Sequence, residues 1–568
     1  MTQQTHPATT TPSPTRHTNG GLTYRTNGGL TQHSNGRPGP NPHVVIIGNG
    51  MAGSRLADEL RRRQPDPRLL PITVIGEERQ PAYNRVLLSS VVGGGLDITG
   101  VRLYPDGWHT NHHVHLLRGV QAVTLDRRRQ LVHDSHGGTH RYDVLVLATG
   151  SRSWIPPING LTDLDGRLAT GVATFRTAAD CEQIIAAAQP GGHVAVLGGG
   201  LLGLEAARGV AGRGAAVTVL HPVGHLMERQ LDPPAGRVLA RTLNRLGVTV
   251  RLNVTATRYH QHHNGQRPTS GGLDLSDGGF QPADLVVVAA GVRAETTLAR
   301  QAGLEVNHAI VVDDELRSVT DPRIRAIGEC AEHRGTVHGL VQPAWDQAAA
   351  LADLLTGTDP AVRYTGSAAV TRLKARDIDL ATMGETFTEA DDDPKAEVVR
   401  LEDPARGHYA KLVLRDERIA GAIILGLPEA AATLTQLFDN HAPVPTDRLG
   451  LLVGRNPEQT SPASLPARAL ICRCNSVTKA QLTTAWHAGA RTVTAQAAAT
   501  KATTGCGSCT DTVAGLCEWL ARPEPSQAAS DREGFDSTNT NSTANARKSP
   551  PHRSLPHNIS GPIPIMPR

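Results

Sequence analysis

His43-Val-Val-Ile-Ile-Gly48-Asn-Gly50-Met-Ala-Gly53 decides the fold. An apolar run of strand length enters a glycine turn, and residues 54–63 continue with helical periodicity. In such a turn Gly48 makes the bend and Gly50 lets a pyrophosphate approach the backbone. Gly53 packs helix on strand, and the phosphates face the N–H groups of the helix start. A second strand, Pro71-Ile-Thr-Val-Ile75, ends at Glu77 and Glu78. Glu77 stands 24 residues beyond Gly53, where an acid accepts from a ribose hydroxyl. The stretch is a βαβ dinucleotide cradle.

Downstream the pattern recurs. His193-Val-Ala-Val-Leu197 leads into Gly198-Gly-Gly200-Leu201-Leu202-Gly203-Leu-Glu205, then a helix, then Ala216-Val-Thr-Val-Leu220. Between the cradles lies Tyr142-Asp-Val-Leu-Val-Leu-Ala148-Thr149-Gly150, a buried strand closing on small residues. A similar strand, Ala283 to Ala290-Gly291, follows the second cradle, and later comes Ile327-Gly328-Glu329. This order resembles that of two-dinucleotide-domain flavoproteins, which implies FAD at the first cradle and NAD(P)H at the second. At the end of the second cradle's second strand, where an acid favours NAD and an arginine NADP, stands His221, with Arg229 too far along to decide. The coenzyme's 2′ preference stays open.

At 568 residues the chain has room for three or four domains. A net charge of +4, without a basic stripe interleaved with aromatics, gives no reason to expect nucleic acid. The first lysine is Lys374, which excludes a phosphate-loop or Schiff-base lysine upstream. No apolar run approaches the roughly 18 residues of a membrane span, and the N-terminus shows no signal-peptide pattern. A cytoplasmic protein is expected. Residues 1–42, rich in Thr, Pro, Asn and Gly, and 523–568 are too polar to offset the entropy of ordering and are expected to be disordered.

Four of seven cysteines form Cys472-Arg-Cys474, a gap of 31 residues, then Cys506-Gly-Ser-Cys509. Such thiolates hold tetrahedral zinc or an iron–sulfur centre. Gly505 and Gly507 free backbone N–H groups beside Cys506 to donate to cluster sulfurs. Cys181 and Cys330 read as small buried hydrophobes, and Cys517 as a helix-packed residue outside the spacing. The first cysteine of all is Cys181, so a dithiol relay close after the first cradle is missing, and reduced flavin must hand its electrons elsewhere.

The cysteine spacing is similar to the small helical domain of bacterioferritin-associated ferredoxin, a [2Fe-2S] carrier. The order of cradles and strands resembles the two-dinucleotide-domain flavoprotein oxidoreductases: an α/β fold in which an NAD(P) domain is inserted into a discontinuous FAD domain. Longer motifs, Pro81-Ala-Tyr-Asn-Arg85-Val-Leu-Leu-Ser89, Leu226-Met-Glu-Arg-Gln-Leu-Asp232 and Ile327-Gly-Glu-Cys-Ala-Glu-His333, resemble the N-terminal half of the large subunit of NAD(P)H-dependent assimilatory nitrite reductase. That similarity runs over about 43–425. It implies FAD-domain segments at 43–155 and 285–360, an NAD(P) domain at 156–284 and a small α+β lobe at 361–426. A helix and linker at 427–468 and a [2Fe-2S] domain at 469–522 complete the expected order.

The resemblance further implies flavin-side contacts at Met51, Ala52, Glu78, Arg85 and Ala122, in addition to the cradle glycines, Ala148, Thr149, Gly150, Gly291, Gly328 and Glu329. Arg85 would touch a phosphate or the isoalloxazine; the alternative is a surface arginine packing its stem on Tyr83. Glu205 would touch the nicotinamide end, or else serve the helix dipole. Cys472, Cys474, Cys506 and Cys509 would ligate the cluster.

The nitrite reductases hold sirohaem and a [4Fe-4S] cluster on four further cysteines, whereas only Cys517 follows Cys509 here. The pattern therefore most resembles the electron-transfer subunit of assimilatory nitrate reductase. The expectation is oxidation of NAD(P)H at FAD and export of electrons through the cluster to a molybdenum-containing catalytic subunit or another redox acceptor protein. A ferredoxin or rubredoxin reductase, or an oxygenase reductase component, is the alternative within the same class. A redox sensor or scaffold with a structural cluster or zinc is the alternative outside it.

Overall fold

The computed structural model describes residues 41–261, 271–454, 465–475, 477–503 and 509–522. Val44–Ile47 is the centre of a five-stranded parallel sheet. It is flanked by Ile72–Gly76 and Val114–Arg118 on one side and by Val144–Leu147 and Ile324–Ala326 on the other. The central strands are buried at every position, their side chains packing with helix Met51–Arg63 and with Leu125 and Val132 of the three-stranded antiparallel sheet formed by Ala122–Asp126, Leu131–Asp134 and Thr139–Arg141. Helix Met51–Arg63 packs against helix Val341–Thr356, burying Leu56, Leu60, Ala348, Leu351 and Leu355 in one core.

The second cradle is built the same way. His193–Leu197 lies between Ala216–His221 and Leu285–Val288, with Val248–Leu252 and Val172–Thr174 at the edges, all parallel. Leu285–Val288 belongs to this sheet, so the NAD(P) domain extends beyond the boundary expected at 284; the strand pairs register by register with Val194–Leu197. The chain leaves the first domain along Ser151–Ser153 and returns along Val292–Ala294, and these two short strands pair antiparallel as a two-stranded hinge.

The lobe after residue 369 is a five-stranded antiparallel sheet in the order Val370–Leu373, Leu380–Gly384, Arg418–Leu425, His408–Arg415, Glu397–Asp403. Strand alternation gives it two buried faces. Ala422 and Ile424 meet helix Pro428–Asp439 through Ala430, Leu434 and Phe438. Ile423, Leu425 and Tyr409 face the opposite way and join the core of the NAD(P) domain. The helix expected together with a linker thus packs as the lid of the lobe, its apolar stripe buried on the sheet.

The C-terminal module pairs Leu470–Cys472 with Val477–Thr478 and continues as helices Lys479–His487, Val493–Thr500 and Thr510–Leu520. Thr478 and Gln481 form a capping box that starts the first of these helices. Among the described residues no helix is long and apolar enough to cross a membrane. Residues 1–40 and 523–568, which cover nearly all of the expected disordered tails, lie outside the described residues.

Candidate functional site

Each cradle shows the three glycine roles as distances. Gly48 has φ +115°, and a Cβ there would sit 2.1 Å from the Ala148 carbonyl oxygen. On Gly53 a Cβ would meet the Gly48 carbonyl oxygen at 1.9 Å. At Gly50, the N-cap of helix Met51–Arg63, a Cβ would meet nothing within 4 Å. The first and third glycines are demanded by the protein itself, whereas the second opens onto space at a helix N-terminus, as an approaching pyrophosphate requires. Gly198, Gly203 and Gly200 repeat the set, with Cβ contacts at 2.4 Å, 2.0 Å and none within 4 Å. The residues fit two dinucleotides.

Around the first cradle the side chains form two bonded groups, one on Arg152 and one on Glu329. Glu77 follows the second strand, is more than half exposed, and lies 3.2 Å from Arg152, whose Nε also pairs with Glu295. Thr149 donates to the Glu295 carbonyl at 2.6 Å. Glu329 accepts from Ser151 at 2.5 Å and pairs with Arg176. Gly328, with φ +76°, donates its N–H to Gln347 at 2.7 Å and lies against Ala52. Met51 is buried, and its carbonyl accepts from Trp345 at 3.3 Å. Ala122, half-buried, begins strand Ala122–Asp126, while Gly150 and Gly291 both have positive φ and open space beside them.

Arg85 is engaged rather than free. It pairs with Glu78, donates to the Arg176 carbonyl at 3.1 Å and stacks over Tyr83 with its guanidinium carbon 5.2 Å from the ring centre. The Tyr83 hydroxyl donates to Glu78 at 2.6 Å. A phosphate contact by Arg85 would require it to leave Glu78. Burial, and then the Glu78 carboxylate, push the Tyr83 phenol above its ordinary range, which keeps it a donor.

Glu205 does not serve the helix dipole in the open. It is buried in helix Leu201–Ala211, and its Oε1 accepts from the Lys374 backbone N–H at 3.0 Å. Burial raises its carboxyl above the usual range, with the Lys374 charge acting against that rise. Glu205, Lys374, Ser89 and Ser90 line one cleft of about 610 Å³, between the second cradle, the loop after Arg85 and the lobe. Leu201 and Leu202, both half-buried, form the first turn of the same helix. Sequence reading missed Arg152, Arg176, Glu295 and Lys374. Arg152, two residues after Gly150, had a positional signal; Lys374 had none, because only tertiary packing brings the lobe to Glu205.

In the C-terminal module Cys472 is buried, and its thiol is held down to about 7 by donors that offset burial. Cys509 is the largest of these, followed by the backbone N–H groups of Thr503 and Asn475 and the Asn475 amide, which lies 3.8 Å from Sγ. Asn475 also donates to the Lys501 carbonyl at 2.6 Å, which fixes its orientation. A sulfur that accepts such bonds suits a cluster-ligating thiolate. The side chain of Cys474 and all of Cys506 lie outside the described residues. Among the described residues no group of three or more His, Cys, Asp or Glu could hold a metal ion. Cys181 is buried, and burial pushes its thiol up to about 12; Cys330 is buried against the Leu147 carbonyl.

Comparison with known proteins matches three family models in series. Residues 42–348 match pyridine nucleotide-disulphide oxidoreductase, 370–442 the rubredoxin NAD+ reductase C-terminal domain, and 470–518 the BFD-like [2Fe-2S] binding domain. The assimilatory nitrate reductase electron transfer subunit of Bacillus subtilis is 34% identical over 490 residues, covering 86% of this chain and 61% of that protein. The nitrite reductase [NAD(P)H] of the same organism is 35% identical over 470 residues, covering 82% of this chain and 56% of that protein. The chain therefore spans little more than half the length of these relatives. Among solved structures, the putidaredoxin reductase–putidaredoxin complex superposes with a TM-score of 0.64 at 26% identity, covering 72% of this chain and 96% of that one. The ferredoxin reductase for the CYP199A2 system of Rhodopseudomonas palustris gives 0.62 at 27%, covering 71% and 96%. With the two cradles and the Cys472 environment, these findings identify an FAD- and NAD(P)H-dependent oxidoreductase with a [2Fe-2S] domain. The chain belongs to the pyridine nucleotide-disulphide oxidoreductase family.

Proposed function

We propose that this protein takes electrons from NAD(P)H and passes them through its C-terminal cysteine module to a separate catalytic subunit of assimilatory nitrate reductase, in the cytoplasm. One observation carries the reading: two glycine turns, open at Gly50 and Gly200, occur in the same chain as a buried Cys472 whose sulfur has Cys509 and the Asn475 amide beside it. When bound, FAD takes a hydride from NAD(P)H and releases electrons singly, which a [2Fe-2S] centre can accept. The chain's own residues hold and orient. Gly200 and the first turn of helix Leu201–Ala211 would receive the coenzyme's pyrophosphate, and Glu205, buried beside Lys374, would face the nicotinamide end. Gly48, Gly50 and Gly53 would seat the flavin's pyrophosphate, with Glu77 on its ribose. Cys472, Cys474, Cys506 and Cys509 would hold the cluster.

The acceptor is chosen by similarity to the Bacillus subtilis electron transfer subunit. A nitrite-reducing partner is the second reading, favoured by identities of 35% and 33% to two nitrite reductases. Reconstitution separates them. Purified full-length protein, NAD(P)H and an isolated nitrate reductase catalytic subunit should form nitrite from nitrate. Failure with both coenzymes, together with ammonium formation when a nitrite-reducing subunit is supplied, would transfer the assignment to the second reading.

A further inference from the structure

We propose that Glu228, held beside His221, reads the adenosine ribose in the second cradle and selects NADH over NADPH. The inference rests on reading that cradle as the coenzyme site. In a unit of this kind the adenosine ribose lies between the glycine loop and the end of the second strand, where an acid normally accepts from the 2′-hydroxyl. Here the second strand, Ala216–His221, ends in a histidine. His221 turns back onto the loop, and its Nδ1 accepts from the Gly199 N–H at 3.1 Å. That bond puts the proton of the neutral ring on Nε2. Nε2, buried, lies 3.2 Å from a Glu228 carboxylate oxygen but is not aligned to donate a hydrogen bond to it, so the carboxylate stands beside the ring and can turn to a ribose.

The strap that carries Glu228 is clamped to the same loop. Met227 donates its N–H to the Gly199 carbonyl at 3.0 Å, is fully buried, and has φ +53°, an uncommon conformation for a non-glycine residue. Leu226 and the His221 ring close over Gly199 so tightly that a Cβ there would lie 2.4 Å and 2.9 Å from them. His221 and the strap are thus each bonded to Gly199, one at its N–H and the other at its carbonyl, which places Glu228 at the ribose end of the cradle. Its side chain keeps 36% exposure, so the carboxylate remains accessible. The missing strand-end acid is supplied from seven residues further along the chain. A 2′-hydroxyl gains an acceptor there, whereas a 2′-phosphate meets a like charge. The neighbouring Arg229 is exposed and is the cation that would produce the opposite preference.

The test uses the flavin-loaded full-length chain with ferricyanide as acceptor, so that neither cluster nor partner enters. The ratio of kcat/KM for NADH to that for NADPH should be about 100. Glu228→Gln should lower that ratio about tenfold by improving NADPH, and Arg229→Ala should leave the ratio within about twofold. Binding of ADP-ribose against 2′-phospho-ADP-ribose, measured by calorimetry, should show the same order without any hydride transfer. NADPH used as well as NADH, or a ratio that follows Arg229→Ala and ignores Glu228→Gln, overturns the inference. Should neither coenzyme reduce the flavin while ADP-ribose still outcompetes its 2′-phosphate, the proposed function fails and this assignment stands. Flavin content of each variant reports folding, since Glu228 lies outside the core.

Discussion

Glu205 shows what a single residue reveals only in three dimensions. Its position, one turn into a helix after a glycine fingerprint, suits a dipole-compensating acid as well as a ligand contact. Burial and the Lys374 N–H give the carboxyl a partner inside the fold, without which a buried carboxyl is not retained. Its raised carboxyl means that, above the ordinary value of 4.5, the folded protein keeps a proton that the unfolded chain releases. The unfolded state then binds fewer protons, so stability falls as pH climbs from 4.5 toward the folded value. Glu205→Gln keeps an acceptor for Lys374 and removes the titration. Its melting temperature relative to wild type should rise by about 2 °C between pH 4.5 and 7, while flavin reduction by NAD(P)H slows about tenfold. Scanning calorimetry across pH and anaerobic stopped-flow check the two halves. A melting difference independent of pH would mean that Glu205 is charged in the folded state. The glycines were legible without coordinates, since a Gly-x-Gly-x-x-Gly turn between strand and helix has one geometry. Asn475 was not, because its donation to Cys472 depends on a turn that spacing alone does not describe.

Among elements, the lobe strand His408–Arg415 shows how alternation builds a domain junction. Ala410, Leu412 and Leu414 face the lobe's own helix, which leaves Tyr409 and Lys411 pointing toward the NAD(P) domain. There both meet Asp232, the N-cap of helix Pro233–Arg245. The Tyr409 hydroxyl donates to it at 2.5 Å, and the Lys411 ammonium lies 3.5 Å away. Lys411 is fully buried and is further held by Glu389 at 2.7 Å and by the Thr386 carbonyl at 3.1 Å. A buried ammonium is tolerated only with such partners, so this cluster fixes the lobe on the coenzyme domain rather than adding surface charge. Tyr409→Phe should cost about 1–3 kcal/mol in urea unfolding, the desolvation left on a buried acceptor. In combination with Asp232→Asn the losses should be non-additive, since both changes remove the same bond. Additive losses would mean that Asp232 acts only as a helix cap. The strands themselves were readable from their β-branched runs. The junction was not, because a lysine inside a strand reads as solvent-facing until its neighbours are known.

At the scale of the whole molecule, electrons must cross from the flavin domain to a module joined to it through residues 443–469. Two contacts among the described residues bear on how that module is held. The turn Arg473–Asn475 lies against helix Val341–Thr356, whose start borders the first cradle through Trp345 and Gln347. Arg473 also forms a two-pronged pair with Asp439 at the end of the lobe helix, with Nε donating at 2.9 Å. Arg473 sits between Cys472 and Cys474, so the ion pair anchors the expected ligand loop itself. A bidentate, mostly buried arginine–carboxylate pair is worth more than an exposed one and carries geometry as well as energy. Asp439→Asn keeps size and removes the charge. Loss of about 1.4 kcal/mol of seating would reduce the docked fraction and slow reduction of the cluster about tenfold, with the rate of flavin bleaching by NAD(P)H unchanged. Stopped-flow absorbance resolves the two steps, and iron and acid-labile sulfide analysis shows that the variant still holds its cluster. Equal slowing of both steps would mean that Asp439 shapes the flavin domain instead. Unchanged rates would mean that packing on helix Val341–Thr356 alone seats the module. Because Cys472 takes its donors from Thr503, Asn475 and Cys509, all within the module, the cluster's own environment should survive the substitution, and the visible spectrum of the oxidised protein should not shift.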